Sequence, residues 1–118
     1  MTARPPSHPR VLVVEDEYMI AADLRVALQA EGVEVVGPVS NVAAARTLLE
    51  QAPVDLAILD VDLGGEVVWP LADELMAKGA PILLATGYSR SALPKRYAAL
   101  PRSEKPTDVI RMVREMLP

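Results

Sequence analysis

Residues 56–65 read LAILDVDLGG: four apolar side chains, an aspartate, and a second aspartate two positions later. A short apolar run bounded by polar residues and glycines is typical of a strand that is buried on both faces of a sheet. Asp60 therefore falls at the carboxyl end of a buried strand. Because burial disfavours a charged carboxylate, its position there calls for a functional explanation.

The chain repeats this pattern on both sides of Asp60. Further buried strands are predicted at RVLVVED (residues 10–16), VEVVG (33–37) and PILLAT (81–86), and a short one near residues 100–103. Amphipathic stretches between them predict helices. They comprise residues 17–31 ending at Gly32, a helix capped by Ser40 or Asn41, residues 66–78 ending at Gly79, and a last helix capped by Thr107.

Alternating strands and helices predict an α/β fold with a parallel sheet and helices on both faces, because parallel strands need crossover connections. Residues 87–104 contain two prolines and a glycine, so we expect the fourth helix to be short or replaced by a loop. The proline-rich residues 1–9 are expected to be disordered, which leaves residues 10–118 as one domain.

Composition excludes several classes of protein. The chain has no cysteine, so it has neither disulfides nor thiolate metal sites. It contains no apolar window long enough to cross a bilayer and no secretory signal, so we expect a cytoplasmic protein with no membrane partner. The net charge is −4, distributed as −8 over residues 1–87 and +4 over residues 88–118, and we expect no nucleic-acid partner.

Polar residues follow the predicted strands at the point where each strand ends. Glu15 and Asp16 follow the first, Asp60 the third, Thr86 the fourth and Lys105 the fifth. The carboxyl ends of parallel strands share one edge, which is where ligands bind in such sheets. Three carboxylates gathered there repel one another, and oxygen ligands without histidine or cysteine favour Mg²⁺ as the compensating ion.

The Thr86 hydroxyl and the Lys105 ammonium group would suit an anionic oxygen. Together the five residues predict a phosphoryl-transfer site with Asp60 as the nucleophile. Each residue alone has a simpler explanation: the acidic pair as partners of a helix N-terminus, Thr86 as structural, and Lys105 as a surface charge. Their joint occurrence on successive strand ends favours the site.

The motifs VVEDE, AILDVDL, LLATG and EKP, in this order, resemble the receiver domain of bacterial two-component response regulators. The resemblance implies a flavodoxin-like (βα)5 three-layer sandwich with a five-stranded parallel sheet in the order 2-1-3-4-5. It also implies that Asp60 accepts a phosphoryl group from a sensor histidine kinase or a histidine phosphotransfer protein. Slow autodephosphorylation would follow.

The resemblance assigns further roles. Asp16 and Asp60 would bind Mg²⁺ directly, with the backbone carbonyl of Asp62 as another ligand and Glu15 acting through water. Phosphoryl oxygens would be held by Thr86 and Lys105, and Gly87 would keep the pocket open to the phosphodonor. The signal would be read on the face of the fourth and fifth βα units, by a downstream protein or by a second copy in a homodimer.

Some positions depart from the common receiver pattern. Arg102 and Ser103 stand where an aromatic switch residue is usual, and Gly64 stands where many members have proline. The ATGY motif at residues 85–88 resembles the single-domain subgroup nicknamed FATGUY, with Leu84 in place of its Phe. We therefore expect Tyr88, or ordering of residues 87–97, to replace the usual switch, unless Tyr88 only packs on the loop.

The side chains of Asp62 and Tyr88 are expected to tune the lifetime of the acyl phosphate. Two other interpretations remain open. The Asp60-x-Asp62 motif also resembles haloacid-dehalogenase-type phosphatases, although the acidic pair here precedes the motif instead of following it. Alternatively, the chain is a receiver-like binding module that is never phosphorylated and acts through its basic C-terminal face.

Overall fold

The computed structural model describes residues 8–85, 93–103 and 106–117. Five strands form one parallel sheet, and two very short strands pair antiparallel beside it. The strands are β1 (Arg10–Val14), β2 (Glu34–Val39), β3 (Leu56–Leu59), β4 (Asp62–Leu63), β5 (Glu66–Val67), β6 (Ile82–Ala85) and β7 (Arg102–Ser103). The sheet order is β2-β1-β3-β6-β7, which confirms the expected 2-1-3-4-5 order once the short pair is set aside.

Helices cover both faces of this sheet. They are α1 (Tyr18–Ala30), α2 (Val42–Gln51), α3 (Trp69–Ala77) and α4 (Pro106–Met116). Alternate side chains of each strand point to opposite faces. Leu12 and Val14 of β1 pack with α2 and α3, whereas Val11 and Val13 pack with α1 and α4. The predicted three-layer α/β sandwich is therefore confirmed. In the described ranges, the helices are too short or too polar to span a membrane.

The helix ends agree with the sequence in most places. Asn41, one of two expected caps, accepts a hydrogen bond from the backbone N–H of Ala44 at 2.8 Å. Gly32 and Gly79 follow the ends of α1 and α3 as predicted. The last helix begins at Pro106, so the prediction that Thr107 precedes it as a cap is wrong. Proline suits the first turn of a helix, where its missing N–H costs no hydrogen bond.

The predicted helix over residues 66–78 is wrong at its start, because the chain forms a hairpin there before α3 begins. Strands β4 and β5 pair with Leu63 opposite Glu66, which leaves Gly64 and Gly65 as a two-residue loop. Their φ angles are +68° and +96°. A two-residue hairpin loop of this kind needs positive φ at both positions, and glycine adopts it without strain.

The described part of the connection between β6 and β7, residues 93–101, contains the 3₁₀ turn Lys95–Tyr97 where a fourth crossover helix would otherwise lie. The Tyr97 ring stacks on the Trp69 ring of α3 with centroids 4.1 Å apart. Its hydroxyl donates a hydrogen bond to Asp73 at 2.7 Å. These contacts anchor the connection to α3.

We expect Gly37→Ala to destabilise the fold strongly. Gly37 has φ +98°, and an added Cβ would lie 2.9 Å from the Val39 nitrogen and 3.0 Å from the Val13 carbonyl oxygen. Both atoms belong to paired strands, so neither moves cheaply, and the expected loss is about 3 kcal/mol in the free energy of unfolding. Urea denaturation measures it.

Gly79→Ala is the matched control. Gly79 also has positive φ, +74°, but a Cβ there would meet no atom within 4 Å. Only the backbone strain remains, at about 1 kcal/mol. Equal losses in the two variants would show that the close approach at Gly37 is not what matters.

Candidate functional site

Three carboxylates meet at the carboxyl edge of the sheet. Glu15 and Asp16 follow β1, and Asp60 follows β3. These strands are neighbours, and the Asp60 N–H donates to the Val14 carbonyl at 2.9 Å. One oxygen from each carboxylate lies within 4.8 Å of the others. The structure therefore brings together the three acidic residues predicted from the strand ends.

Glu15 is the most enclosed of the three, with only 6% of its surface exposed. Burial raises its pKa to about 8, and hydrogen bonding to the Asp60 side chain adds to this shift. One Glu15 oxygen also accepts a hydrogen bond from the Glu17 N–H at 3.0 Å, which opposes the shift. Without a cation, Glu15 therefore keeps its proton at neutral pH.

Asp60 is half-buried, and this burial raises its pKa. Hydrogen bonds from the Glu15 side chain and from the Asp62 N–H, the latter at 3.3 Å, oppose the shift because both favour the charged form. The Asp16 carboxylate acts in the same direction as burial and raises the pKa of Asp60. Burial thus raises the pKa of both carboxyls in this hydrogen-bonded pair.

The β4–β5 hairpin forms one wall of the site. Its first residue, Asp62, donates its N–H to Asp60, and its own side chain accepts the Gly65 N–H at 3.3 Å. At the tip, an added Cβ on Gly64 would lie 3.2 Å from a carboxylate oxygen of Asp16. The glycine that departs from the common receiver pattern therefore sits where a side chain would crowd the acidic cluster.

The donor set of this cluster suits a hard divalent cation. Carboxylate oxygens at such short distances repel one another unless a positive charge lies between them. A divalent cation would displace the Glu15 proton and offset most of the negative charge of the cluster. Oxygen-only ligands are those Mg²⁺ and Ca²⁺ prefer, and the few carboxylates here fit Mg²⁺, which keeps several waters.

Other predicted site residues fall differently. Thr86, Gly87, Tyr88 and Lys105 lie outside the described residues. Arg102 lies in β7, in register with Leu84 of β6, and is partly exposed. Strands β6 and β7 run parallel to β1 and β3, so all four end at the same edge.

Sequence reasoning missed two features near the site. The β4–β5 hairpin had a signal, because two consecutive glycines between short runs indicate a two-residue hairpin loop. The stack of Trp69 on Tyr97 had none, because the two residues are distant in the chain and meet only through packing.

Magnesium affinity should depend on pH, because the ion and a proton compete for Glu15. The pKa of this carboxyl is about 8 in the folded protein. We expect the Mg²⁺ dissociation constant to fall by up to about tenfold per pH unit as the pH rises towards 8, and to level off above it. Isothermal titration calorimetry over this pH range measures the dissociation constant. In Glu15→Gln, the dissociation constant should depend much less on pH. An equally steep dependence in that variant would contradict the assignment of the proton.

The same carboxyl links the stability of the metal-free protein to pH. Its pKa in the folded state lies above the ordinary value of 4.5, so the folded state binds this proton more tightly than the unfolded chain. The resulting stabilisation is fully present below the ordinary value and is lost as the pH rises through about 8.

Comparison with known proteins points to one family. The family model described as the response regulator receiver domain matches residues 11–101. The transcriptional regulatory protein PdtaR of Mycobacterium tuberculosis is 38% identical over 88 residues, which cover 74% of this chain and 43% of that protein. The chain thus spans less than half the length of this relative.

Solved structures agree with this family. The crystal structure of the response regulator TrrA from Thermotoga maritima, in complex with Mg²⁺ and BeF, is 33% identical with a TM-score of 0.76, and covers 92% of this chain and 99% of TrrA. The solution structure of SdrG from Sphingomonas melonis Fr1 is 34% identical with a TM-score of 0.77, and covers 92% of this chain and 96% of SdrG.

Proposed function

Because the chain belongs to the receiver domain family of two-component response regulators, we propose that Asp60 takes a phosphoryl group in a Mg²⁺-dependent reaction. The observation that carries this proposal is the meeting of Glu15, Asp16 and Asp60, with one oxygen of each within 4.8 Å of the others. Gathering carboxylates at the end of buried strands costs free energy when no cation is bound. Membership of the receiver domain family supplies a functional reason for this cluster.

Asp16 and Asp60 would hold the ion directly, the Asp62 backbone carbonyl would be a third ligand, and Glu15 would act through water. A similar relative, TrrA, has been crystallised with Mg²⁺ and BeF, which supports the binding of Mg²⁺ by this chain. Once bound, the ion would offset the negative charge that gathers between Asp60 and the incoming phosphoryl group.

In the proposed transfer, an Asp60 carboxylate oxygen attacks the phosphorus of a phosphohistidine. The new O–P bond forms as the N–P bond breaks, and the imidazole leaves. Thr86 and Lys105 would hold the phosphoryl oxygens, and Gly87 would leave room for the donor. Burial on a rigid strand end holds the nucleophile in place, so little reorganisation is needed.

The proposed phosphodonor is a sensor histidine kinase or a histidine phosphotransfer protein, and the proposed location is the cytoplasm. Exposed apolar side chains begin the helix that follows the acidic pair, since Tyr18 is 81% and Met19 is 69% exposed. They offer contact area to a partner that brings its histidine to Asp60. The proposed receiver unit covers residues 10–118.

We propose that the output is read on the fourth and fifth βα units, by a downstream protein or a second copy. Since Arg102 and Ser103 stand where the aromatic switch residue is usual, Tyr88 or the ordering of residues 87–97 would take the switching role. Contacts of the turn at Tyr97 with Trp69 and Asp73 support a route from that segment to α3. Slow autodephosphorylation would end the signal, with the side chains of Asp62 and Tyr88 setting its rate.

Incubation with acetyl phosphate and Mg²⁺, followed by intact-protein mass spectrometry, tests the function. We expect one phosphoryl group per chain, gained only when Mg²⁺ is present. Repeated turnover of a phosphomonoester would instead favour the phosphatase, for which the comparisons give no support. A chain that binds Mg²⁺ but gains no phosphoryl group would favour the unphosphorylated binding module.

A further inference from the structure

The β4–β5 hairpin is tied to a second element away from the acidic cluster. One oxygen of the Glu66 side chain in β5 accepts a hydrogen bond from the backbone N–H of Val42, the first residue of α2, at 3.1 Å. That N–H has no partner within its own helix, as at any helix N-terminus. Glu66 thus joins the hairpin to α2.

The opposite strand of the hairpin faces the cluster. Asp62 contacts Asp60 through its N–H, and the Gly64 position lies against the Asp16 carboxylate. In the β4–β5 pair, Leu63 is opposite Glu66. A shift of β5 away from α2 would therefore carry the Asp62 backbone and the loop away from the acidic residues.

We propose that Glu66 is a positioning residue for the Mg²⁺ site. By pinning β5 to α2, it would hold the Asp62 backbone in place beside the acidic cluster, without touching the ion itself. This inference rests on the proposed function, because it takes the Asp62 carbonyl as a ligand.

The residues around Glu66 favour this role. Buried Leu63 holds one strand of the hairpin in the core, whereas both residues of β5 are exposed. The Glu66 hydrogen bond therefore ties an exposed β5 side chain to α2, next to Val68, which is buried in the core directly after β5. Arg46 of α2 pairs with Glu74 of α3, which raises the pKa of Arg46, and the nearby Glu66 charge adds to this shift.

The test measures Mg²⁺ affinity by isothermal titration calorimetry in two Glu66 variants and one control variant. Glu66→Ala removes the acceptor and should weaken Mg²⁺ binding about fivefold. Glu66→Gln keeps an oxygen at the same reach but removes the charge, so it should bind within about twofold of the wild type. If the glutamine variant is as weak as the alanine variant, Glu66 acts through its charge and the positioning role is wrong.

Asn41→Ala is the matched control. It removes the other side-chain cap of the same helix end, the bond from Ala44 to Asn41, and leaves the hairpin anchor intact. Both alanine variants should lose similar stability in urea, whereas Mg²⁺ affinity should fall only in Glu66→Ala. Equal weakening in both would show that capping of α2, and not hairpin position, is responsible.

Phosphorylation kinetics give a second readout. At saturating Mg²⁺ the rate with acetyl phosphate in Glu66→Ala should return to that of the wild type, since only the affinity for the ion is changed. This inference alone is overturned if the wild type binds Mg²⁺ and is phosphorylated, and the Glu66→Ala protein has the same Mg²⁺ affinity as the wild type. A wild type that binds no Mg²⁺ overturns the proposed function as well.

Discussion

The Asp60→Asn protein should gain no phosphoryl group from acetyl phosphate and Mg²⁺ under conditions that phosphorylate the wild type. The amide occupies nearly the same space but lacks the anionic oxygen that attacks phosphorus, so we expect at least a roughly 100-fold loss of phosphoprotein. The change also removes one charge from a crowded acidic cluster, so folding should not suffer. Intact-protein mass spectrometry measures the outcome.

Two controls accompany this variant. Asp23→Asn alters an exposed acid on α1, outside the cluster, and should be phosphorylated like the wild type. Asp62→Asn keeps the backbone carbonyl and should also be phosphorylated, with a changed lifetime of the acyl phosphate. Undiminished phosphorylation of Asp60→Asn would place the acceptor on another residue.

Asp16→Asn should lower the affinity for Mg²⁺ roughly 100-fold, because loss of a direct carboxylate ligand costs at least as much as the larger losses caused by changing outer-shell residues. Asp16 is exposed and lies between the Glu15–Asp60 pair and the tip of the hairpin. Among the described residues, no further carboxylate joins this cluster that could replace Asp16 as a ligand. Isothermal titration calorimetry measures the affinity.

Asp23→Asn is again the reference, because it removes an equal charge from an exposed position of α1 without touching the cluster. Excess Mg²⁺ should restore phosphorylation of Asp16→Asn, since the nucleophile is intact. An Asp16→Asn protein with wild-type affinity would remove Asp16 from the metal site.

The placement of the acidic cluster was predictable because apolar runs mark buried strands. Once β1 and β3 were recognised, Glu15, Asp16 and Asp60 had to lie at one edge of a parallel sheet. The raised pKa of Glu15 was not predictable, because it depends on how deeply the fold encloses one of three similar side chains.

The β4–β5 hairpin and its hydrogen bond to α2 were not predicted from the sequence. The sequence predicts a helix over residues 66–78, although the two glycines before it indicate a turn. The bond between Glu66 and Val42 joins residues distant in the chain, and no local pattern encodes it. Local propensity thus predicted the elements, whereas tertiary contacts decided their boundaries near the site.

Borohydride reduction tests the central claim most directly, since it converts an aspartyl phosphate into homoserine at the same position. Tryptic cleavage after Arg46 and Lys78 isolates one peptide that carries Asp55, Asp60, Asp62 and Asp73, and fragmentation distinguishes among them. After treatment with acetyl phosphate and Mg²⁺, we predict homoserine at position 60 alone. Homoserine at another aspartate, or none in a chain that binds Mg²⁺, would contradict the assignment of Asp60 as the phosphoacceptor.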